Sequence, residues 1–167
     1  SNGKPVFVFV TEEQSLTFKN GTFNLTEQEM LKDDNLHFIT PSQKSKKNIK
    51  SLGSKTHVIP HGFDINVFKP RSKQRGKVTT FLNISAGSGN KNLETIVNCF
   101  KSLPQQDNLK LILKINKEIY KDTASQFACR NIEVIADNYS TEEIVELYQK
   151  ADIYVSGGIF EAFDMPT

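Results

Sequence analysis

The chain has 167 residues, enough for one domain with a substantial core or for parts of two. Its formal net charge of +2 and the absence of Trp give no reason to expect a nucleic-acid partner. No stretch of about 18 apolar residues is present, so no membrane span is expected.

In chain order, Val6-Phe7-Val8-Phe9-Val10 is a continuous apolar run, the pattern of a strand buried on both faces. Residues 11–35 are polar and irregular, with Asn20-Gly21 as a turn signal. His37 to Thr40 reads as a second strand. Pro41-Ser42 then opens a basic helix carrying Lys44, Lys46, Lys47 and Lys50, which is expected to run to about Leu52 and end at Gly53. Thr56 to Ile59 reads as a third strand closed by Pro60. Residues 69–77 are polar and basic, the composition of a solvated linker.

From Lys77 onward the rhythm is strand, helix, strand. Val78 to Ile84 is a strand. Leu93, Ile96, Val97, Phe100 and Leu103 then fall on one helical face, with Pro104 at its end. Leu109 to Ile115 is a strand, residues 116–130 have weak helical character, and Ile132 to Ile135 is a strand. Ser140-x-x-Glu143 is a capping box ahead of Ile144, Leu147 and Tyr148. Asp152 to Val155 is the last strand. This order predicts an α/β fold, a Rossmann-like parallel sheet with flanking helices. The two cysteines, Cys99 and Cys129, read as reduced, buried core residues, which favours a cytoplasmic setting. They and His37, His57 and His61 lack metal-ligand spacing, so no metal is expected. Asn-x-Ser/Thr triplets begin at Asn20, Asn24, Asn83 and Asn138, and such triplets are common by chance.

Ligands of open parallel α/β sheets sit in the loops that follow the carboxyl ends of the strands. Four such loops carry suggestive residues: Pro60 to Asp64, Gly87-Ser88-Gly89-Asn90-Lys91, Asp137 to Ser140, and Gly157 to Glu161. The second joins glycines, a lysine and a helix start, which suits phosphate; as an isolated motif it equally suits an ordinary strand-to-helix turn. The fourth places two glycines before Glu161, a carboxylate that could accept hydrogen bonds from vicinal sugar hydroxyls or simply face solvent.

In this order the loops resemble the family 4 glycosyltransferases, retaining enzymes of GT-B fold. Val58-Ile59-Pro60-His61-Gly62-Phe63-Asp64, with Phe68 and Pro70, resembles the hinge segment V-I-P-x-G-x-D and F-x-P. Lys91-Asn92-Leu93 resembles the family's K-G/N-hydrophobic segment. Ala151-Asp152-Ile153-Tyr154-Val155 and Glu161-Ala162-Phe163-Asp164-Met165-Pro166 resemble A-D-strand and E-G-F-G-L-P. The resemblance implies that residues 1–62 end an acceptor-side domain, 63–77 form a hinge, and 78–167 begin a nucleotide-sugar-binding domain. A piece of this extent is expected to be inactive alone.

The resemblance also implies roles. Lys91 faces the donor diphosphate, where charge builds as the glycosidic bond breaks. Glu161 lies near the donor sugar. Gly62, Gly87, Ser88, Tyr139 and Phe163 fall at donor-binding positions, Tyr139 on the side of the base. The donor is a UDP-, GDP- or ADP-sugar used as substrate, without metal or other cofactor, and the acceptor is a glycan, lipid or protein. By its charge the basic helix reads first as a solvated face, and alternatively as peripheral contact with an anionic membrane on the cytosolic face. Three departures leave room for an inactive or divergent member. Ser85-Ala86-Gly87-Ser88 lacks the family's usual Arg, Ala162 and Asp164 replace two glycines, and the second glutamate of the E-x7-E pair falls past Thr167. The alternative is a non-catalytic GT-B module that binds a nucleotide, a sugar or a partner protein. A flavodoxin-like regulator would need an acidic cluster or flavin loop at the strand ends, and neither is seen.

Overall fold

A computed structural model describes residues 3–10, 32–48, 55–72, 76–85, 91–104, 106–116, 118 and 124–158. The described residues form two compact units, divided between Gly62 and Phe63.

In the first unit, β1 (Val6–Phe9), β2 (Leu36–Thr40) and β3 (Thr56–Val58) make a parallel sheet in the order β1-β2-β3. Helix α1 (Gln43–Asn48) connects β2 to β3. Its start is fixed by Ser42, whose Oγ accepts from the Ser45 amide at 3.0 Å. Lys44, Lys46 and Lys47 are exposed on α1, while Lys50 and Gly53 lie outside the described residues. The core here is small: Leu36 and Phe38 are buried, with Val8 and Val10 packed against them. The expectation that β1 is buried on both faces is not met. Phe7 and Phe9 are 59% and 49% exposed, because β1 lies at the sheet's edge and only Val8 turns to the core. On the open face Phe7 stacks on His37, and His37 Nδ1 lies 3.2 Å from His57 Nε2.

The second unit holds β4 (Thr79–Ile84), α2 (Leu93–Ser102), β5 (Leu109–Lys114), α3 (Ala124–Phe127), β6 (Ile132–Ile135), α4 (Thr141–Lys150) and β7 (Ile153–Tyr154). All four strands are parallel, in the order β6-β5-β4-β7. The α/β class expected from the alternation is thus observed. Consecutive residues of the central strands feed opposite layers, since side chains alternate across a strand. Leu111, Leu113 and Ile115 pack with Leu93, Val97 and Phe100 of α2, whereas Leu82, Ile112 and Ile135 pack with Leu147 of α4. Burial on both faces is why Leu111-Ile112-Leu113 of β5 reads as an unbroken apolar run.

Element ends differ from expectation by a residue or two. Val78 is 42% exposed ahead of β4, and Leu103 turns out of the helix into extended backbone and is 37% exposed. Ile115 lies outside β5 but still donates its amide to the Ile135 carbonyl at 2.9 Å. Among the described residues of the weakly helical segment, the four of α3 are helical. Both cysteines are exposed free thiols, not core residues. Cys99 lies on α2 between buried Val97 and Phe100 but faces outward, and Cys129 sits in the turn before β6, where it bridges to Ile132. Asn83 is 2% exposed, so no glycan can reach that triplet.

The segment after Gly62 already rests on the second unit. Phe68 meets Tyr148 of α4 edge-on at 6.3 Å, and the Lys69 carbonyl accepts from Gln149 Nε2 at 3.2 Å. Asp64 tightens the preceding turn by accepting from the Asn66 amide at 2.7 Å.

Candidate active site

The chain runs β4, β5, β6 in one direction across the sheet and then returns to place β7 on the other side of β4. Strand order reverses there, and in open α/β sheets ligands bind in the crevice at such a reversal, outside the carboxyl ends of the strands. Side chains clip β7 to β4 at both of its ends. Asp152 donates its amide to the Thr80 carbonyl, and its carboxylate accepts from the Thr80 amide, both at 2.8 Å. At the other end Asn83 Nδ2 donates to the Val155 carbonyl at 2.8 Å, and the Tyr154 hydroxyl donates to the Ile84 carbonyl at 3.2 Å. These two-ended ties let a strand of two residues hold its register.

Beyond β7 the chain passes against the start of α2. A Cβ on Gly157 would stand 2.9 Å from the Lys91 carbonyl oxygen, 3.0 Å from Ile96 Cγ1 and 3.1 Å from the Asn92 carbonyl oxygen. Only glycine fits this approach, because two of the three obstacles are main-chain atoms. Lys91 is half-buried at this junction. Asn92, the N-cap of α2, has φ 49° and ψ 47°. That is left-handed backbone, which Gly and Asn tolerate best. This explains physically why a Gly or Asn follows the lysine in the segment it resembles. Asn92 Oδ1 also accepts from Thr95 Oγ1 at 2.8 Å. The result is a lysine held at a helix start directly beside the loop that leads toward Glu161.

On the α4 side of the same edge, Tyr139 is half-buried against Leu82, Ile112 and Leu147. Its loop is fixed by the expected capping box: the Ser140 amide donates to Glu143 Oε2 at 2.7 Å, and the Glu143 amide donates to Ser140 Oγ at 3.3 Å. Lys114, the last residue of β5, lays its Nζ over the Tyr139 ring at 5.4 Å from the centroid and donates to the Ile115 carbonyl at 3.1 Å. Burial lowers the Lys114 pKa from its ordinary value, against an opposing pull from Asp137. Sequence reading missed Lys114, since a lysine closing an apolar run looks like the end of a strand meeting water. The buried Asn83 Oδ1 and Ser85 Oγ, at the carboxyl end of β4, have no hydrogen-bond partner.

Of the expected site residues, Lys91 and Tyr139 therefore lie at the carboxyl edge of the second unit's sheet. Gly62 ends the first unit, exposed, with open space where a Cβ would be. Gly87, Ser88, Glu161 and Phe163 lie outside the described residues. Among the described residues no group of three or more His, Cys, Asp or Glu side chains is placed to hold a metal ion. No helix of the described residues is long and apolar enough to cross a membrane.

The fold is that of part of the GT-B glycosyltransferases. A S. aureus TarM mutant solved in complex with fondaparinux, α-GlcNAc-glycerol and UDP superposes with a TM-score of 0.66 at 12% identity, over 96% of this chain and 33% of that one. The pneumococcal O-GlcNAc transferase GtfA, in complex with UDP and GlcNAc, gives 0.65 at 13% identity, over 96% of this chain and 34% of that one. The apo lipopolysaccharide outer core galactosyltransferase WaaB gives 0.54 at 12% identity, over 77% of this chain and 38% of that one. The chain thus spans about a third of the length of these structures. At such identities the likeness is one of fold. No protein-family model matches the sequence, and no curated protein is similar to it.

Proposed function

We propose that the chain is part of a glycosyltransferase, running from the end of its acceptor-side domain into its donor-binding domain, that moves a sugar from a nucleotide-sugar to a glycan, lipid or protein acceptor with retention of configuration. The observation that carries this reading is the junction of Gly157 with Lys91 and Asn92, set where the sheet reverses its strand order in a fold shared with glycosyltransferases. In this reading Lys91 faces the diphosphate and offsets the charge that builds as the sugar departs. Glu161 meets the donor sugar, the glycines at 62 and 87 allow close approach to the phosphates together with Ser88, and Tyr139 and Phe163 line the donor. UDP is the first donor nucleotide to try, because both TarM and GtfA were solved with it. Metal plays no part in the proposed transfer. The exposed Lys44, Lys46 and Lys47 suit contact with an anionic bilayer, and vesicle sedimentation indifferent to lipid charge would remove that element.

A second reading is a binding module without chemistry. It is favoured by Ala162, Asp164 and the lack of Arg in Ser85 to Ser88, which crowd the sugar and thin the positive charge. Calorimetric titration with UDP, GDP and ADP, followed by assay of nucleotide release from the matching sugar donors, separates the two. Binding with release supports transfer; binding without release, in the full-length protein with acceptors present, supports the module. Failure to bind any of the three nucleotides sinks the transfer reading and leaves the module only a sugar or a partner protein to bind.

A further inference from the structure

Resting on the donor-site reading above, we propose that Lys114 is a second cationic contact for the donor diphosphate, taking the place that an arginine in the Ser85 to Ser88 loop would have filled. The position is the first reason. Lys114 closes β5, a central strand of the sheet, beside β4. It pairs with Ile84 across the ladder, and its carbonyl accepts from the Ser85 amide at 3.0 Å. It therefore stands at the carboxyl edge, one strand from the loop that leads into Lys91, where an anionic ligand of this fold would lie.

The second reason is the lysine's surroundings. Leu82, Ile112 and Ile135 form the apolar layer on this face, and Ile112 is two residues before Lys114 on the same strand. The ammonium is drawn partly out of water here, and among the described residues it donates to one main-chain carbonyl and lies over the face of Tyr139. Among the described residues, Asp137 is the carboxylate that pulls on it, and no salt bridge joins the two. A strand-end lysine with only structural duties would extend its stem to reach solvent. Lying across Tyr139 instead, it is pre-oriented, so little side-chain freedom is lost when an anion arrives.

The third is arithmetic of charge. A diphosphate carries more than one negative charge, and the glycine loop offers no cation before Lys91. Lys91 at the α2 start and Lys114 at the β5 end would hold it from two sides of β4.

The test uses UDP and uridine as probes on the whole protein. Lys114→Met keeps most of the aliphatic stem and removes the charge, and Lys114→Arg keeps the charge. The expected result is that Lys114→Met weakens UDP binding roughly 10- to 100-fold, the loss of one charged hydrogen-bonding contact, with uridine binding within about twofold and Lys114→Arg largely restored. An independent measurement needs no variant: UDP should protect the wild-type Lys114 amine from acetylation read by mass spectrometry, and uridine should not. Equal UDP affinity in Lys114→Met, or equal loss for UDP and uridine with no protection, overturns the proposal while leaving the donor-site reading intact. Wild-type protein that binds neither UDP nor uridine overturns both.

Discussion

Gly157→Ala is the substitution that most directly interrogates the junction. The added methyl would sit 2.9 Å from the Lys91 carbonyl oxygen and 3.1 Å from that of Asn92, with Ile96 Cγ1 at 3.0 Å on a third side. The isoleucine tip can rotate away, but the two carbonyls belong to Lys91 and the N-cap Asn92, directly before α2, which is anchored through buried Leu93, Val97 and Phe100. Normal contact is restored only by moving main chain by roughly half an ångström, and overpacking of this kind costs about 1–3 kcal/mol. For a unit of this size each kcal/mol lowers the melting temperature by roughly 4–8 °C. Thermal unfolding followed by circular dichroism measures the first effect, and UDP titration measures the second, because Lys91 must move with its carbonyl. Gly62→Ala is the control. No heavy atom lies within 4 Å of its Cβ position, so stability should stay within about 0.5 kcal/mol while UDP binding weakens if donor phosphates approach that backbone. A Gly157→Ala protein with wild-type melting and wild-type UDP affinity would refute the claim that this approach positions Lys91.

Lys91→Met should reduce UDP affinity by roughly tenfold or more while leaving uridine binding unchanged, read by calorimetry. Ser140→Ala removes one side of the capping box and should destabilise by about 1 kcal/mol in a urea melt. Because burial lowers the folded pKa of Lys114, its ammonium disfavours the folded state while charged. Its effect on stability should therefore improve as pH rises from the folded value toward the ordinary 10.5. Side-chain carbon NMR should show Lys114 losing its proton before the exposed lysines, and bound UDP should raise that pKa.

The strands were readable because sheets covered on both faces demand continuous apolar runs, and Leu111-Ile112-Leu113 could satisfy no other pattern so well. The Ser140 box was readable because its two hydrogen bonds are local. Contributions from the other side of the sheet were not. Gly157 reads as a flexible residue in a loop, and its need for hydrogen in place of a methyl arises only when α2 packs beside β7. Lys114 was invisible for the same reason, since Tyr139 is remote in sequence. Cys99 misled because a small apolar residue within an amphipathic helix suits either face, and here Val97 and Phe100 take the inner one. Phe7 and Phe9 misled because an apolar run does not reveal which strand will be the edge.

The order of strands in the second unit has a consequence for how the chain is made. β4 leaves the ribosome before the other described strands of its sheet, yet one of its edges waits for β7, the last of those described. Until Asp152 and Val155 arrive to bond Thr80 and Leu82, the nascent chain carries an apolar strand with unsatisfied amides and carbonyls along one side. Between the synthesis of Ile84 and that of Val155 this edge stays open to mispairing, and a ribosome-bound chaperone would have it to shield.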